Sequence, residues 1–461
     1  MRANWRSLPS VDRLVSDPKL KSLGDSSLRP LLLNLARQYL EELRQGIGRG
    51  EPCPLFDQIV EAISLRAQLL SSVSLQPVIN ASGVLLHTNL GRAPLSQEAL
   101  QAMEAVARGY SNLEIDLESG KRGSRYGHIE SLLCQLTGAE AGMVVNNNAS
   151  ALLLALTALA RRKEVIISRG QAVEIGGGVR IPEVLRQSGA RLVEVGTTNR
   201  TYARDYEAAI TPRTAALLRV HSSNFKVIGF TCAVPLREMV ELTHRHSLLL
   251  LDDLGSGCLL DTAQFGLDHE PMIQESIALG ADLVFSSGDK LMGGPQAGII
   301  VGQQALVERL KRHPLARAVR IDKISLAGLA ATLIHYLKGE ALSRLPVWQM
   351  LSPSLEELES RSQTWAGVLP GWAEVVDGES VVGGGSLPGN TLPTRLVAIK
   401  GRGKQAKIAQ TLAEALRRGK PPVLARVDRD TLFLDPRTVL SEEDEALLLA
   451  LRRVGQKQGL L

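Results

Sequence analysis

The sequence predicts an α/β protein whose central sheet is mostly parallel. Between Gly142 and Gly302, strand-like apolar runs alternate with stretches of helical period, and this order is typical of a sheet covered by helices on both faces. Ligands bind such sheets beyond the carboxyl ends of the strands, so the loops there are where a site is expected. The predicted strands are Met143–Val145, Val165–Ser168, Arg191–Val195, Ala215–Val220, Leu248–Asp252, Leu283–Phe285 and Gly298–Val301, with helices starting near Ser150, Gly178, Pro235 and Met272.

Length and composition indicate a globular protein of more than one domain. At roughly 100–200 residues per domain, 461 residues predict two or three. Apolar residues make up 44% and aromatic residues 3%, so the cores must be built from Leu, Val, Ile and Ala. We expect no secretory signal, because Arg2, Arg6 and Asp12 are not followed by an apolar h-region. We expect no membrane span, because no stretch reaches ~18 uninterrupted apolar residues.

Cysteine usage and charge narrow the class of protein further. The four cysteines are scattered without CxxC or metal-ligand spacing, which indicates reduced thiols in a cytoplasmic protein and predicts no metal site. The net charge of +5 allows a polyanionic partner without requiring one, and no RNA-binding motif with interleaved aromatic residues is present.

Two further modules flank the α/β segment. Residues 1–75 predict a helical module, with helices opening near Asp12, Pro30 and Phe56. A catalytic domain is expected over residues 76–345 and a small α+β domain over residues 346–461, the change being marked by Pro370 and Gly383 to Gly385. The C-terminal elements expected are long helices over Ile324–Lys338 and Ser354–Trp365, strands over Thr394–Ile399, Val423–Val427 and Thr431–Leu434, and helices over Lys404–Arg418 and Glu442–Arg453.

Three loops after predicted strands carry residues suited to a cofactor. Asn147, Asn148 and Ala149 precede a helix, whose first backbone N–H groups suit a phosphate, although Asn is also an ordinary helix cap. Asp253 leaves the end of a buried strand and suits a protonated pyridine nitrogen, with Asp252 as the alternative. Lys290 follows the next strand, and a buried lysine forms a Schiff base with an aldehyde. An isolated lysine there would be an ordinary loop residue. The order of the three loops, however, is that of aminotransferase-like enzymes, which use pyridoxal phosphate.

Longer motifs around these residues resemble a known family. The segments Ser286 to Gly298, Asp252 to Gly257 and Asn89 to Ser96 are similar to those of bacterial selenocysteine synthase, an L-seryl-tRNA(Sec) selenium transferase, and the resemblance covers essentially the whole chain. It implies the aminotransferase-like, fold type I architecture of pyridoxal-phosphate enzymes. It also implies a reaction in which serine on tRNA(Sec) loses water to give a dehydroalanyl group, to which selenium from selenophosphate adds.

The resemblance implies a role for each site residue. Lys290 would carry the cofactor, Asn147, Asn148, Ala149 and Ser287 would hold its phosphate, and Gln171 or Glu174 would lie near its ring. Arg92, Arg317 and Arg320 would bind selenophosphate, whose phosphate suits the forked donors of arginine. Without the resemblance, Arg317 and Arg320 would be interpreted as a solvated helix pair. The residues expected to bind substrate are Arg92, Arg317, Arg320, Thr197, Thr198 and Asn224.

Partners and alternative functions follow from the same resemblance. It implies a homo-oligomer built from dimers, in a ring-shaped decamer, and tRNA docking by residues 1–75, which without it would be read as a packing or dimerisation appendage. The alternatives are a related pyridoxal-phosphate lyase of a small amino acid or sugar amino acid, and a tRNA-binding protein without catalysis. Arg395 and Arg426 are candidates for carboxylate or RNA contacts, although an exposed strand arginine explains each.

Overall fold

The computed structural model describes residues 7–23, 28–71, 73–175, 178–401 and 408–461. The chain divides into two compact units, Met1–Pro77 and Val78–Leu461. The start of the predicted Lys404–Arg418 helix lies outside the described residues, and the described part of that helix is Ile408–Arg417. Among the described residues, none of the helices combines the length and apolar character that a membrane span requires.

The first unit is helical, as the spacing of its apolar residues predicts. Its helices are α1 Val11–Val15, α2 Pro18–Lys21, α3 Arg29–Gly48 and α4 Phe56–Ser71. Ser10 and Asp17 cap the first two, each accepting a backbone N–H in the first turn. Leu14, Leu40 and Ile63 belong to a small core that this unit forms by itself.

The second unit contains two large sheets and the helices that cover them. Its strands are β1 Ile79–Ala81, β2 Val84–Leu86, β3 Ala141–Val145, β4 Glu164–Ser168, β5 Glu174–Ile175, β6 Val179–Arg180, β7 Arg191–Val195, β8 Thr214–Val220, β9 Leu249–Gly255, β10 Leu283–Ser287, β11 Gly298–Gly302, β12 Ala373–Gly383, β13 Thr391–Lys400, β14 Val423–Asp428 and β15 Thr431–Leu434. Its α-helices are α5 Gln97–Ala107, α6 Glu130–Thr137, α7 Asn148–Ala160, α8 Ile181–Ser188, α9 Ala203–Ala209, α10 Leu236–Arg245, α11 Ile273–Leu279, α12 Gln304–Arg312, α13 Pro314–Ala318, α14 Lys323–Leu337, α15 Ala341–Arg344, α16 Pro346–Leu351, α17 Leu355–Ala366, α18 Ile408–Arg417 and α19 Asp444–Lys457.

The central sheet has seven strands in the order β3-β11-β10-β9-β8-β4-β7. Only β11 runs antiparallel to its neighbours, so the sheet is mostly parallel, as the strand–helix alternation predicts. Side chains alternate between its faces: Met143 and Val145 pack in the core with α7, whereas Val144 packs in the core with α14. Because both faces are covered there, inner strands such as β10 and β11 are buried along their whole length, whereas the edge strand β7 is partly exposed.

A second sheet of six strands, in the order β1-β14-β15-β13-β12-β2, combines distant parts of the chain. β1 and β2 come from residues 79–86, yet they pair in parallel with β14 and β12 near the C-terminus. The predicted division into residues 76–345 and 346–461 stays a prediction, since this sheet joins strands from both sides of it. Gly383 ends β12, and Gly384 and Gly385 lie in the loop that follows it, within the predicted C-terminal region.

Candidate active site

A cavity of about 230 Å³ opens where β3, β8, β9 and β10 end. The loops after four strands therefore contribute to one space, as expected of a parallel sheet. The sequence-predicted site residues that line it are Arg92, Asn147, Asn148, Ala149, Asn224, Asp253, Ser287 and Lys290.

Lys290 presents a buried amine to this cavity. The residue lies in the turn after β10 and is only 3% exposed. Burial lowers the pKa of its amine to about 8 and the charge of Arg92 acts in the same direction, while the carboxylates of Asp253, Asp289 and Glu270 oppose the shift. Within the described part of the chain, no carboxylate forms an ion pair with Nζ. The amine is therefore easily made neutral and nucleophilic, as covalent catalysis by lysine requires.

Glycine residues make room for the lysine side chain. A Cβ atom at Gly385, in the loop after β12, would lie 2.5 Å from Nζ of Lys290, and one at Gly255 would lie 3.6 Å away. Gly385 also has φ +95°, a conformation that side-chain-bearing residues rarely adopt. The loop after β12 thus approaches the lysine side chain through backbone alone.

The two aspartates of β9 point to opposite sides of the strand. Asp253 accepts a hydrogen bond from Asn148 Nδ2 at 2.8 Å and lines the cavity. Asp252 accepts two from Arg219 Nη1, at 2.8 and 3.1 Å, and does not line it. Burial raises the pKa of Asp253 to about 6, against the lowering effect of the Asn148 hydrogen bond and of Lys290. Asp253 is thus the aspartate that faces Lys290.

The N-terminus of α7 forms another wall. Asn147 caps the helix, its Oδ1 accepting the N–H of Ser150 at 2.9 Å, so the capping interpretation is correct for this side chain. The first-turn N–H groups of a helix have no partner inside it, and those of Asn148 and Ala149 therefore suit an anion at the cavity. Asn148 Oδ1 is buried without a hydrogen-bond partner among the described residues, and Ser287 lines the same cavity.

Arg92 is held in an unusual conformation at the rim. It has φ 65° and follows Gly91, which also has positive φ. Its Nη1 donates to Asp289 Oδ2 at 2.9 Å, which ties the Arg92 loop to the residue before the lysine. A non-glycine residue at positive φ costs of order 1–3 kcal/mol, so the surrounding contacts must determine this geometry.

The other two predicted anion-binding arginines lie elsewhere in this chain. Arg317 and Arg320 line a separate cavity of about 350 Å³, and Arg320 Nη1 is 3.8 Å from Glu114 Oε1. That cavity also contains Arg122, Arg125 and Lys311, so it is strongly basic. The structure of one chain does not bring these two arginines together with Lys290.

Four further predicted residues also lie outside the Lys290 cavity. Thr197, Thr198 and Gln171 line a third cavity, of about 210 Å³. Gln171 Oε1 accepts the backbone N–H of Val220 at 3.1 Å, so its amide supports a strand end. Glu174 pairs with Arg180 at 2.8 Å on the surface. Gln171, Thr197 and Thr198 follow strand ends as predicted, whereas Glu174 lies in the short strand β5, and a place after a strand did not bring any of the four into the Lys290 cavity.

Several residues of the cavity were missed from the sequence. His221 and Ser223 line it directly after β8, and Asp289 precedes the lysine. The rule that ligands lie beyond strand ends could have found His221. Gly385 carries no such signal, because only the tertiary fold brings it to Lys290. Arg395 pairs with Asp377 and Glu359, and Arg426 lies over the Phe433 ring, so both have structural partners.

Comparison with solved structures places the fold. The chain is similar to the structure of D-glucosaminate-6-phosphate ammonia-lyase, with a TM-score of 0.60 and 23% identity over 85% of this chain and 98% of that one. At this identity the likeness concerns the fold alone. It confirms the predicted aminotransferase-like, fold type I architecture, and this is the class of fold to which the chain belongs.

Comparison of sequences gives the family. The family model described as L-seryl-tRNA selenium transferase matches residues 78–440, and one described as Selenocysteine synthase N terminal matches residues 6–44. The chain belongs to the L-seryl-tRNA selenium transferase family, which confirms the resemblance found in its motifs. Relatives named L-seryl-tRNA(Sec) selenium transferase include one from Moorella thermoacetica, 50% identical over 97% of this chain and 96% of the relative, and one from Geobacter sulfurreducens, 47% identical over 97% and 98%.

Proposed function

We propose that this chain converts L-seryl-tRNA(Sec) into L-selenocysteinyl-tRNA(Sec), with pyridoxal phosphate as cofactor and selenophosphate as selenium donor. The observation that carries the proposal is the family match over residues 78–440, in a chain whose Lys290 is buried at the matching site. The match over residues 6–44 extends the similarity to the helical unit, beyond the cofactor site.

The residues of the cavity fit the proposed cofactor. The first-turn amides of α7 at Asn148 and Ala149, with the side chain of Ser287, would hold its phosphate. Asp253, a buried carboxylate, would pair with the pyridine nitrogen, and Lys290 would bond its aldehyde carbon. Asn148 Oδ1 is buried without a hydrogen-bond partner in the described part of the chain, so it can accept a hydrogen bond from a group bound in the cavity.

The chemistry divides between the cofactor and the chain. When bound, pyridoxal phosphate draws electrons from the α-carbon of an amino acid and so makes its α-proton acidic. The amine of Lys290, with its pKa near 8, can take that proton and return it to the α-carbon after selenium has added. Arg92 at the rim presents a cation for the phosphate of selenophosphate, within the cavity that Lys290 faces.

The roles of Arg317, Arg320, Thr197 and Thr198 remain part of the proposal. The basic cavity around the two arginines supports anion binding there, apart from Lys290 in this chain. The expected place of Gln171 or Glu174 near the cofactor ring also stays a proposal. Its support is indirect, since Gln171 Oε1 accepts the N–H of Val220 and Glu174 O accepts from Asn224 Nδ2, and both Val220 and Asn224 line the cavity.

The remaining proposals concern the setting of the enzyme. Exposed apolar side chains such as Tyr110, Ile228 and Phe230 support a homo-oligomer. Its form, a ring-shaped decamer built from dimers, stays a prediction from the family resemblance. Cytoplasmic location is supported by the four free cysteines, Cys53, Cys134, Cys232 and Cys258.

One assay tests the function. The protein loaded with pyridoxal phosphate is mixed with seryl-tRNA(Sec) and [75Se]selenophosphate, and labelled aminoacyl-tRNA is measured. We expect label on the tRNA with the unaltered chain, none with Lys290→Ala, and a loss of at least ~10-fold with Arg317→Ala/Arg320→Ala that raises the selenophosphate requirement. Absence of label with the unaltered, loaded chain would refute the proposed function.

A further inference from the structure

A buried carboxylate faces the histidine at the wall of the active-site cavity. Glu270 follows β9 in the chain, before α11, and its side chain is 3% exposed. Its Oε1 lies 3.2 Å from Nε2 of His221. Both atoms are buried, and neither has a well-aligned hydrogen bond to any described residue. Because a carboxylate only accepts, the two can satisfy one another only when Nε2 carries a proton.

The backbone fixes both members of this pair. Glu270 donates its N–H to Thr262 Oγ1 at 2.9 Å, and that hydroxyl donates to Asp268 O at 2.6 Å. His221 directly follows β8 and donates its N–H to Asp253 O at 2.8 Å. The Nε2 edge of the ring is buried, whereas the side chain keeps 21% of its surface exposed and lines the Lys290 cavity. The ring therefore connects Glu270 to the reaction space.

The proposed reaction has a step that needs such a group. When the α-proton of the seryl group is removed, the Cβ–O bond must break with its electron pair on oxygen. Hydroxide leaves poorly unless a proton reaches that oxygen, so a general acid is required. Arg92 and Asp289 at the cavity form an ion pair with each other, and Lys290 holds the α-proton that it has removed. The acid must therefore be another group.

We propose that Glu270 is a positioning residue that holds His221 with a proton on Nε2, and that His221 donates the proton on its other ring nitrogen to the departing seryl oxygen. The oxygen leaves as water, the Cα–Cβ double bond forms, and the ring becomes neutral with Nε2–H facing Glu270. Solvent then restores the proton. This inference rests on the proposed function.

Several charged groups lie around His221, so a variant that tests the ring must change only one of them. They come from every side of the cavity: Glu270 from the loop after β9, Asp253 from β9 itself, and Lys290, Asp289 and Arg92 across the space. Glu270 is the one that contacts the ring at Nε2. Replacing it by Gln keeps the shape and removes the charge.

Substrates with different leaving groups distinguish proton donation by His221 from a structural role of this residue. Chloride departs without a proton, so tRNA(Sec) charged with 3-chloroalanine does not need the acid. We expect His221→Gln to slow elimination from seryl-tRNA(Sec) by roughly 100-fold or more, but elimination from 3-chloroalanyl-tRNA(Sec) by less than ~5-fold. The matched control is His269→Gln, a nearby surface histidine paired with Asp261 and Glu275, which should leave both rates unchanged. Equal slowing of both substrates by His221→Gln would overturn the proposal.

A measurement without turnover tests the positioning role of Glu270. Hydrogen–deuterium exchange at the C2 position of His221, followed by mass spectrometry, is sensitive to the hydrogen bonding of the ring in the cofactor-free chain. Because Glu270 accepts from Nε2, we expect Glu270→Gln to slow this exchange, and an unchanged exchange rate would overturn the pairing. If the unaltered chain eliminates chloride but makes no selenocysteinyl-tRNA, the proposed function fails. The elimination rates of the two substrates would still show whether His221 donates a proton.

Discussion

At the scale of single residues, burial decides the chemistry of the cavity. Lys290 and Asp253 are both almost fully buried, and burial moves their pKa values towards each other, to about 8 and about 6. Each neutral form thus becomes accessible near neutral pH, which a solvated lysine or aspartate does not allow. The sequence could indicate these residues by their place after strands. It could not indicate that the Asp252 side chain accepts a hydrogen bond from Arg219, because the side of the sheet on which Asp252 lies depends on the bounds of β9.

Replacing Asp253 by Asn should stabilise the folded chain near neutral pH and weaken cofactor binding. The pKa of Asp253 rises from 3.8 to about 6 in the folded, cofactor-free chain, so the folded state binds the proton more tightly and loses stability as pH rises from about 4 to 6. Asp253→Asn removes that loss, and we expect its advantage over the parent in unfolding free energy to grow by about 2 kcal/mol between pH 4 and pH 7. Urea denaturation at both pH values measures this, and cofactor affinity should fall.

The neighbouring aspartate provides the control. Asp252→Asn breaks a buried pair with Arg219 and should destabilise the chain by about 3 kcal/mol near neutral pH. If both variants behaved alike, burial of Asp253 would not be the cause of its raised pKa.

At the scale of elements, local pattern was enough for the central sheet and insufficient for the second one. The predicted strands β4 and β8 agree with the structure to within a residue, because strands buried on both faces are mostly apolar runs. The predicted β7 also agrees, although it is an edge strand whose Arg191 and Glu194 are exposed. By contrast β12, Ala373–Gly383, was missed, since Asp377 to Glu379 interrupt its apolar pattern. The helix expected near Gly178 begins at Ile181, after the short β6 strand.

The loop between β12 and β13 should be intolerant of a side chain at one glycine. In Gly385→Ala, the new Cβ would lie 2.5 Å from Nζ and 2.7 Å from Cε of Lys290, so we expect the lysine to move and cofactor attachment to be lost. The absorbance of bound pyridoxal phosphate measures this. The matched control is Gly389→Ala in the same loop, also at positive φ, where the nearest atom is 3.9 Å away. It should cost about 1–2 kcal/mol of stability and keep the cofactor, and equal loss in both variants would contradict the steric explanation.

At the scale of the whole molecule, the two compact units each have a core of their own. The core of Met1–Pro77 contains Leu20, Leu32 and Ile59 from separate helices, and Val78–Leu461 contains both sheets with every residue that lines the Lys290 cavity. We therefore expect cofactor binding to need only the second unit. The proposed docking of tRNA(Sec) by residues 1–75 would give the first unit a different role. This docking stays a prediction, supported by the match of residues 6–44 to the model described as Selenocysteine synthase N terminal.

Deleting residues 1–75 should separate these two roles. We expect the shortened chain to bind pyridoxal phosphate with the same absorbance and affinity, because all lining residues of the cavity lie beyond residue 78. Affinity for tRNA(Sec) should fall by at least ~10-fold. Filter binding at several salt concentrations measures it, since lost phosphate contacts also flatten the salt dependence. Binding to a tRNA other than tRNA(Sec) is the control and should change little. Unchanged affinity for tRNA(Sec) would refute the docking role, and loss of cofactor binding would show that the second unit depends on the first for its fold.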